Sequence, residues 1–196
     1  KISPERIRDE FEKIIMSANP AMGIAMLQKF GLLKNIIPEL SEGINCEQLG
    51  EHIYDVWEHL LHALQHAADK SWPLEIRLAA LFHDIGKPRS RRLASPDAFA
   101  QARTQPDRSQ KHTGSAKKKY TFYGHEVVGA RMTKKIMERL KFPKKETGLV
   151  EKLVRNHMFF SDTELITLSA VRRIIAKVGV ENIWLLMNVR ECDRVG

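Results

Sequence analysis

The stretch that most constrains this chain is Ala79-Ala-Leu-Phe-His-Asp-Ile-Gly-Lys87, in which an almost wholly apolar run ends in an adjacent His83 and Asp84. Because apolar residues occupy most faces of the run, the pattern predicts a buried helix, and Gly86 just beyond it is a typical helix stop. A buried carboxylate without a partner costs several kcal/mol or becomes protonated. A divalent cation shared by His83 and Asp84 would meet this requirement. The alternative is a structural histidine followed by a capping aspartate.

Helical periodicity continues along almost the whole chain, and we predict an all-α fold. In the front section, residues 1–50, short helices begin at Ser3-Pro4 and Asn19-Pro20. A turn-rich stretch at 41–45 separates this section from residues 51–196. No alternating β pattern stands out. Further helices are predicted at about 51–69, 73–84, 123–140, 144–158, 161–167, 169–178 and 181–194.

Composition indicates a globular protein of the cytoplasm. No apolar run approaches the roughly 18 residues of a membrane span, and no secretory signal is recognisable. Cys46 and Cys192 are too few and too far apart for a disulfide framework, which favours a reducing compartment. The missing initiator Met and an end in mid-pattern lead us to expect a piece of a longer polypeptide.

The net charge of +8 is concentrated in two segments. The first basic block, residues 90–119, holds eight Lys and Arg against two Asp, and its polar composition predicts a long mobile loop at about 90–118. The second basic block, residues 131–145, holds seven Lys and Arg against one Glu. Two such blocks on an otherwise acidic chain indicate a surface for a polyanion such as RNA, with a solvated charged surface as the alternative. The lysines expected to bind RNA are Lys117, Lys118, Lys119, Lys134, Lys135, Lys144 and Lys145.

Six side chains that can bind a metal lie on or beside the apolar stripes of their predicted helices. Asp193, for example, continues the stripe of Leu186 and Val189 with helical spacing. We therefore expect the six to converge on one interior. For any one of them a core histidine or an ion pair is the commoner explanation, but six on five helices favour a metal site. They are His59, His83, Asp84, His125, His157 and Asp193.

The types of ligand indicate the ion. Imidazoles with carboxylates suit a divalent transition metal, Mn, Ni, Co, Fe or Zn, rather than an all-oxygen Ca or Mg cage. An ion with open coordination positions lowers the pKa of a bound water and polarises a phosphoryl oxygen. His125 and His157 could hold a second ion. Lys87 is placed to contact a phosphate as a point charge, unless it is an ordinary lysine at a helix end.

The order of these residues, His59, His83-Asp84, His125, His157 and Asp193, resembles that of the HD-domain phosphohydrolases. Three longer segments resemble more narrowly the C-terminal region of bacterial CCA-adding tRNA nucleotidyltransferases of the poly(A)-polymerase-like class. They are Tyr54-Asp-Val-Trp-Glu-His-Leu60, Arg77-Leu-Ala-Ala-Leu-Phe-His-Asp-Ile-Gly-Lys-Pro88 and Thr121-Phe-Tyr-Gly-His-Glu126. The front section resembles that family's RNA-binding neck in Glu5-Arg-Ile-Arg-Asp-Glu-Phe11 and Phe30-Gly-Leu-Leu-Lys-Asn-Ile-Ile-Pro-Glu-Leu40. Only about 90–118 departs from the family, which usually joins these motifs more briefly.

The resemblance implies a helical neck at 1–50 and an HD-domain helical bundle at 51–196. Carried over by position, the metal ligands would be His59, His83, Asp84 and Asp193. Single-metal HD sites lack ligands at the positions of His125 and His157, so these two residues would be ligands additional to that set. Asp84 and Lys87 would serve in catalysis. The implied activity is metal-dependent hydrolysis of a small phosphoester that carries a 2′,3′-cyclic or a terminal phosphate. The implied binding partner is the 3′ end of a tRNA or another RNA.

In that family, CCA addition belongs to an N-terminal nucleotidyltransferase domain with paired aspartates. This chain has no Asp-x-Asp, so we expect a fragment that lacks the polymerase site and is joined to that domain in the full-length protein. Two alternatives remain. One is a separate HD-type nucleotidase, which the neck section disfavours. The other is a non-catalytic RNA-binding module whose HD residues are structural.

Overall fold

The computed structural model describes residues 2–48, 54–93, 120–161 and 166–195, which form a helical bundle with one small hairpin. The helices are α1 (Pro4–Met16), α2 (Pro20–Lys29), α3 (Leu33–Ile36), α4 (Pro38–Ser41), α5 (Val56–Asp69), α6 (Leu74–Phe82), α7 (Lys87–Ser90), α8 (His125–Arg139), α9 (Lys144–Asn156), α10 (Leu168–Val178) and α11 (Ile183–Val195). Short 3₁₀ turns lie at His157–Phe160 and Val180–Asn182. Strands β1 (Arg92–Leu93) and β2 (Tyr120–Thr121) pair antiparallel, with Arg92 opposite Thr121.

The four neck helices α1–α4 share a core with the rest of the bundle. Helix α1 begins where the Ser3 hydroxyl accepts the backbone N–H of Arg6, with Pro4 in the first helical position. Phe11 and Ile15 of α1 and Ile24 of α2 are buried. Helix α1 packs against α6 and α2 packs against α5, so the neck lies directly on the helices that carry the site.

Helix α6 is the centre of the bundle, and all its residues from Ile76 to Phe82 are buried. They include Arg77, a residue that is only 6% exposed. It donates hydrogen bonds to the carbonyl oxygens of Trp72 (2.8 Å), Ile15 (3.0 Å) and Ser17 (2.9 Å). Because Ile15 and Ser17 belong to the end of α1, this buried cation fastens the neck to α6.

The turn after α6 touches the backbone of α8. A Cβ atom on Gly86 would lie 2.2 Å from the carbonyl oxygen of His125 and 2.5 Å from the backbone nitrogen of Gly129. Only glycine fits so close an approach of two backbones. The contact sets the first turn of α8 against His83 and Asp84.

The remaining helices close the bundle around α6. Helices α8 and α9 pack on each other, α9 covers α6, and α11 crosses both α5 and α6. A second link joins the neck to α8, where the Arg139 guanidinium makes two hydrogen bonds of 2.8 Å to the Glu39 carboxylate. Every helix in the described part of the chain is too short or too polar to span a bilayer.

The structure confirms the all-α prediction and corrects several boundaries. Helix α5 begins at Val56 rather than near 51, because the Asp55 carboxylate caps it by accepting the backbone N–H of Glu58 at 2.8 Å. Helix α6 ends at Phe82, so Asp84 lies in the following turn. Residues 161, 166 and 167 of the predicted helix at 161–167 are not helical. The hairpin was not predicted, since two-residue strands give no periodicity. Residues 94–118 of the expected basic loop lie outside the described residues, and the division of domains at 50 stays a prediction.

Candidate metal centre

Five parts of the fold meet where the six predicted metal-binding side chains lie. His59 is on α5, His83 and Asp84 follow α6, His125 begins α8, His157 begins the 3₁₀ turn after α9, and Asp193 is on α11. The structure brings all six together. Four of them are at most 1% exposed, whereas the side chains of His125 and Asp193 are 10% and 11% exposed. These two therefore mark the side of the cluster that faces solvent.

The first donor group consists of His59, His83, Asp84 and Asp193. The Nε2 atoms of His59 and His83 are 2.8 Å apart. Asp84 Oδ2 and Asp193 Oδ1 lie 3.2 Å and 3.5 Å from His59 Nε2, and each lies 3.3 Å from His83 Nε2. Ligands bonded about 2.0–2.2 Å from one ion lie about 3.0 Å apart at neighbouring octahedral positions and about 3.4 Å apart in a tetrahedron. The four donor atoms therefore fit around one transition-metal ion.

The other oxygen of Asp84 faces a second donor group, formed with His125 and His157. Asp84 Oδ1 is 3.2 Å from His125 Nε2 and 3.6 Å from His157 Nε2, and the two nitrogens are 3.3 Å apart. These separations meet the same geometric criterion. Asp84 is thus positioned to bridge two ions, with one oxygen directed to each group.

Backbone carbonyl groups fix the tautomers of three histidines. Nδ1 of His83, His125 and His157 donates to the carbonyl oxygen three residues earlier in the chain, at 2.8 Å, 2.9 Å and 2.7 Å respectively. Because Nδ1 carries the hydrogen, Nε2 of each neutral ring presents its lone pair to the cluster. Lone pairs facing one another at these distances require a cation or a proton between them, which is the environment of a metal site.

The charges in the cluster shift several pKa values. Burial opposes the ionisation of Asp84 and Asp193, but the neighbouring histidines hold the pKa of both carboxyl groups below its ordinary value. Burial also opposes a charge on His83, yet the Asp84 and Asp193 carboxylates raise its pKa to about 10. Burial, and then the charge of His83, lower the pKa of His157 to about 4. A proton on His83 is therefore the competitor that a metal ion must displace.

Lys87, which was predicted to contact a phosphate, lies against Asp84. Its Nζ is 2.5 Å from Asp84 Oδ2 and donates to Gln48 Oε1 at 2.6 Å, and the side chain is 14% exposed. Lys87 thus neutralises the carboxylate that both donor groups share. Its contact with a phosphate stays a prediction, since that contact requires the amine to leave Asp84.

Two polar residues beside the cluster were not predicted from the sequence. Arg190 forms a short ion pair with Asp193 through Oδ2, the oxygen that does not face the histidines. Its position three residues before Asp193 on α11 was a signal that could have identified it. Gln48 gave no such signal, because it lies outside the predicted helices and meets Lys87, 39 positions later in the chain, only through the fold.

The predicted RNA-binding lysines are only partly described. Lys117, Lys118 and Lys119 lie outside the described residues. Lys134, Lys135, Lys144 and Lys145 of the second basic block are all exposed. Lys134 Nζ lies 3.5 Å from the Glu151 carboxylate, and Arg139 of the same block is paired with Glu39. Acidic neighbours therefore compensate two cations of this block, and the other lysines carry its excess charge.

Comparisons with known proteins agree with this architecture. A model of the HD domain family matches residues 49–193, and a model described as the probable RNA and SrmB-binding site of polymerase A matches residues 1–44. The CC-adding tRNA nucleotidyltransferase of Thermus thermophilus is 35% identical over 79% of this chain, and the A-adding enzyme of Deinococcus radiodurans is 36% identical over 79%. A multifunctional CCA protein of Neisseria meningitidis is 29% identical over 98%. The chain spans 31% of the first two relatives and 42% of the third.

Proposed function

The chain belongs to the HD domain family, and from this premise we propose that it is a metal-dependent phosphohydrolase that binds the 3′ end of tRNA or another RNA. Its substrate would be a 2′,3′-cyclic phosphodiester or a terminal phosphate monoester. Asp84 is the observation that carries this proposal. A carboxylate buried to 1% exposure, with each oxygen facing a separate set of histidines, has the chemistry of a bridging metal ligand.

The residues fit a divalent transition metal, and Mn, Ni, Co, Fe and Zn all accept this donor set. His59, His83, Asp84 and Asp193 would hold one ion, and His125 and His157 would hold a second with Asp84. Such ions supply Lewis-acid polarisation of a phosphoryl oxygen and a more acidic bound water.

The chain's own residues would do the remaining work. The Nδ1–H groups of His83, His125 and His157 keep Nε2 directed inward through their backbone acceptors. Lys87 would offset the charge of a phosphoryl oxygen once a metal holds Asp84, because its amine is then available. Burial keeps bulk water from His59, His83, Asp84 and His157, whereas His125 and Asp193 are partly exposed.

RNA binding is supported by the neck and by the adjoining second basic block. The neck matches the RNA-binding model, and it touches the turn between α8 and α9, where the Arg8 guanidinium donates to the Lys141 carbonyl at 2.7 Å. The exposed lysines of the second basic block therefore extend the surface of the neck. The names of the relatives point to tRNA as the RNA that this surface contacts.

We also propose that the chain acts together with a nucleotidyltransferase domain in tRNA 3′-end processing and CCA addition, since its relatives are tRNA nucleotidyltransferases. The alternative of a separate nucleotidase does not account for the RNA-binding match of the neck. The alternative of a non-catalytic RNA-binding module has one observation in its favour. The pair between Lys87 and Asp84 neutralises the buried carboxylate without a metal.

Elemental analysis of the purified chain tests the metal site. Wild type should bind a transition metal, and Asp84→Ala should abolish binding and lower stability, because the inward-facing imidazoles lose their shared carboxylate. Asp193→Asn, at a position that is 11% exposed, is the milder variant and should weaken metal binding without unfolding the chain. Asp69→Ala is the control, since Asp69 is exposed on the helix of His59 and hydrogen-bonds only Gln65 among the described residues. Equal metal content in wild type and Asp84→Ala would make the assignment wrong.

A phosphoester panel tests the activity. Wild type loaded with Mn, Ni or Co should hydrolyse a nucleoside 2′,3′-cyclic phosphate or a 2′-phosphate, and chelation should stop the reaction. A chain with full metal occupancy and no hydrolysis of any substrate would favour the non-catalytic module.

A further inference from the structure

A cavity of about 450 Å³ opens between α11 and the 3₁₀ turn at His157–Phe160. Its volume lies in the range of small-ligand sites, about 300–1,000 Å³. None of its lining residues belongs to the candidate metal ligands. They are Phe160, Met187, Arg190, Glu191, Arg194 and Val195.

Two short connections join the cavity to the metal centre. Arg190, in the cavity wall, pairs with Oδ2 of Asp193, whose Oδ1 lies 3.3 Å from His83 Nε2. Phe160 is at the end of the 3₁₀ turn that begins with His157, a member of the second donor group. A ligand in the cavity would therefore be separated from the first donor group by a single carboxylate, on the side of the cluster that faces solvent.

The cavity combines an apolar wall with cations. Phe160 offers an aromatic ring, and Met187 is 52% exposed beside it. Arg190 and Arg194 supply two guanidinium groups. Among the described residues of the wall the one acid is Glu191, which is compensated from outside the cavity by His66 at 3.0 Å and Lys70 at 3.2 Å. The wall thus suits a flat ring that carries an anion.

Arg190 has spare capacity as a donor. A guanidinium carries five N–H groups in a fixed plane, and only Nη1 contacts Asp193. Its Nε is buried and has no hydrogen-bond partner among the described residues, whereas its Nη2, which also makes no hydrogen bond to them, is left to donate toward the cavity that the side chain lines. Arg190 can therefore bind a second anion on the cavity side while it holds Asp193 in position.

We propose that this cavity is the nucleoside subsite for the phosphoester that reaches the metal centre. Phe160 and Met187 contact the base, and Arg190 donates to the phosphate. A role of this subsite in catalysis rests on the proposed phosphohydrolase function. Binding of a nucleoside phosphate in the cavity does not depend on that function. A free nucleotide and the last nucleotide of an RNA present the same chemistry.

Calorimetric titration of the Mn-loaded chain with cytidine 3′-monophosphate and with inorganic phosphate tests the subsite. Met187→Asp should weaken the nucleotide at least tenfold and inorganic phosphate much less, because it removes the base contact and adds a new carboxylate whose repulsion of a phosphate is screened by salt. Arg190→Gln should weaken both. Met22→Asp is the matched control, since Met22 is 62% exposed on the neck and outside the cavity, and it should change neither. Nucleotide that binds no more tightly than inorganic phosphate, or that binds Met187→Asp as it binds wild type, would overturn the proposal.

Activity separates this proposal from the function on which it rests. Nucleotide binding that is lost in Met187→Asp, in a chain that hydrolyses nothing, would reject the phosphohydrolase and keep the subsite. Hydrolysis of a nucleoside 2′,3′-cyclic phosphate with the same KM in wild type and Met187→Asp would reject the subsite and keep the phosphohydrolase. A short RNA with a 3′-phosphate, titrated alongside, identifies the source of the ligand. Loss on the free nucleotide alone assigns the subsite to free nucleotides, and loss on both assigns it to nucleoside phosphates in general.

Discussion

Replacing Gly86 with alanine should disturb the second donor group while leaving the first largely intact. The added Cβ would lie 2.2 Å from the His125 carbonyl oxygen and 2.5 Å from the Gly129 nitrogen, and both of these are backbone atoms of α8. Ordinary contacts need more than about 3 Å, so the first turn of α8 must move by roughly 1 Å. Functional geometry tolerates displacements of only about 0.5 Å. His125 Nε2, now 3.2 Å from Asp84 Oδ1, should therefore leave ligand distance.

The stability change has two opposing parts. Gly86 has φ −81°, so alanine meets no backbone strain there, and its lower entropy in the unfolded chain stabilises by about 0.4–1 kcal/mol. Overpacking of a rigid contact costs about 1–3 kcal/mol or more. We therefore expect a net loss of up to about 2.6 kcal/mol, measured by urea denaturation of the metal-free chain, together with a lower metal stoichiometry by elemental analysis.

Two other glycines provide matched controls. A Cβ on Gly148, inside α9, meets nothing within 4 Å, so Gly148→Ala should stabilise by about 0.5–1 kcal/mol through helix propensity. A Cβ on Gly129 would be in ordinary contact, at 3.4 Å from the Gly86 nitrogen, and Gly129→Ala should be close to neutral. If Gly86→Ala is as stable as wild type and binds as much metal, the close approach of the two backbones does not set the site.

Three further predictions concern the neck and RNA. Burial raises the pKa of Glu39, but the hydrogen bonds from Arg139 outweigh burial and hold that pKa below its ordinary value. The ion pair therefore stabilises the fold above about pH 4.3, and this contribution is lost as the pH falls through the folded-state pKa of Glu39. Arg139→Gln should remove up to about 1 kcal/mol at pH 7 and less at pH 3 by urea denaturation, and an equal loss at both values would exclude the ion pair as the cause. Replacing the four exposed lysines of the second basic block with glutamine should flatten the salt dependence of tRNA binding, and deleting 93–116 should do so if the first basic block is the RNA surface. If neither change alters tRNA affinity at any salt concentration, contact must come from the neck alone. Finally, this chain should add no C or A to a tRNA that lacks its end, and incorporation in a radiolabel assay would overturn that expectation.

The convergence of the candidate ligands could be predicted because helical periodicity indicates which side chains face inward. Asp193 and His157 continue apolar stripes, and in the structure His157 is fully buried and the Asp193 side chain is only 11% exposed. The same pattern could not assign each ligand to a donor group. What divides the histidines and Asp193 into two groups is which oxygen of Asp84 they face. The packing of α8 and α11 against the turn after α6 determines this division.

Contacts between distant parts of the chain could not be predicted from the sequence, for a physical reason. Lys87 meets Gln48 across 39 positions, and no periodicity links residues on separate elements. Likewise, the hydrogen bonds from Arg77 to the end of α1 join residues about 60 positions apart, and no local sequence pattern relates them. The pair between Arg190 and Asp193 could have been predicted, because the two residues are three positions apart on one helix, a spacing at which opposite charges meet.

The segment from His83 to Lys87 works as one unit, which explains why its residues stand together. His83 is held by its hydrogen bond to the Ala80 carbonyl, so the end of α6 itself directs Nε2 into the first group. Asp84, one residue later in the turn, presents one oxygen to that group and the other toward α8. The missing side chain of Gly86 lets α8 approach, which brings His125 to the second oxygen. Lys87 then returns to Asp84 and balances its charge. Moving His83, Asp84 or Gly86 by one position would separate the shared carboxylate from one of its two sets of histidines, and moving Lys87 would leave the charge of that carboxylate unbalanced, so the two-sided site requires the spacing within the segment.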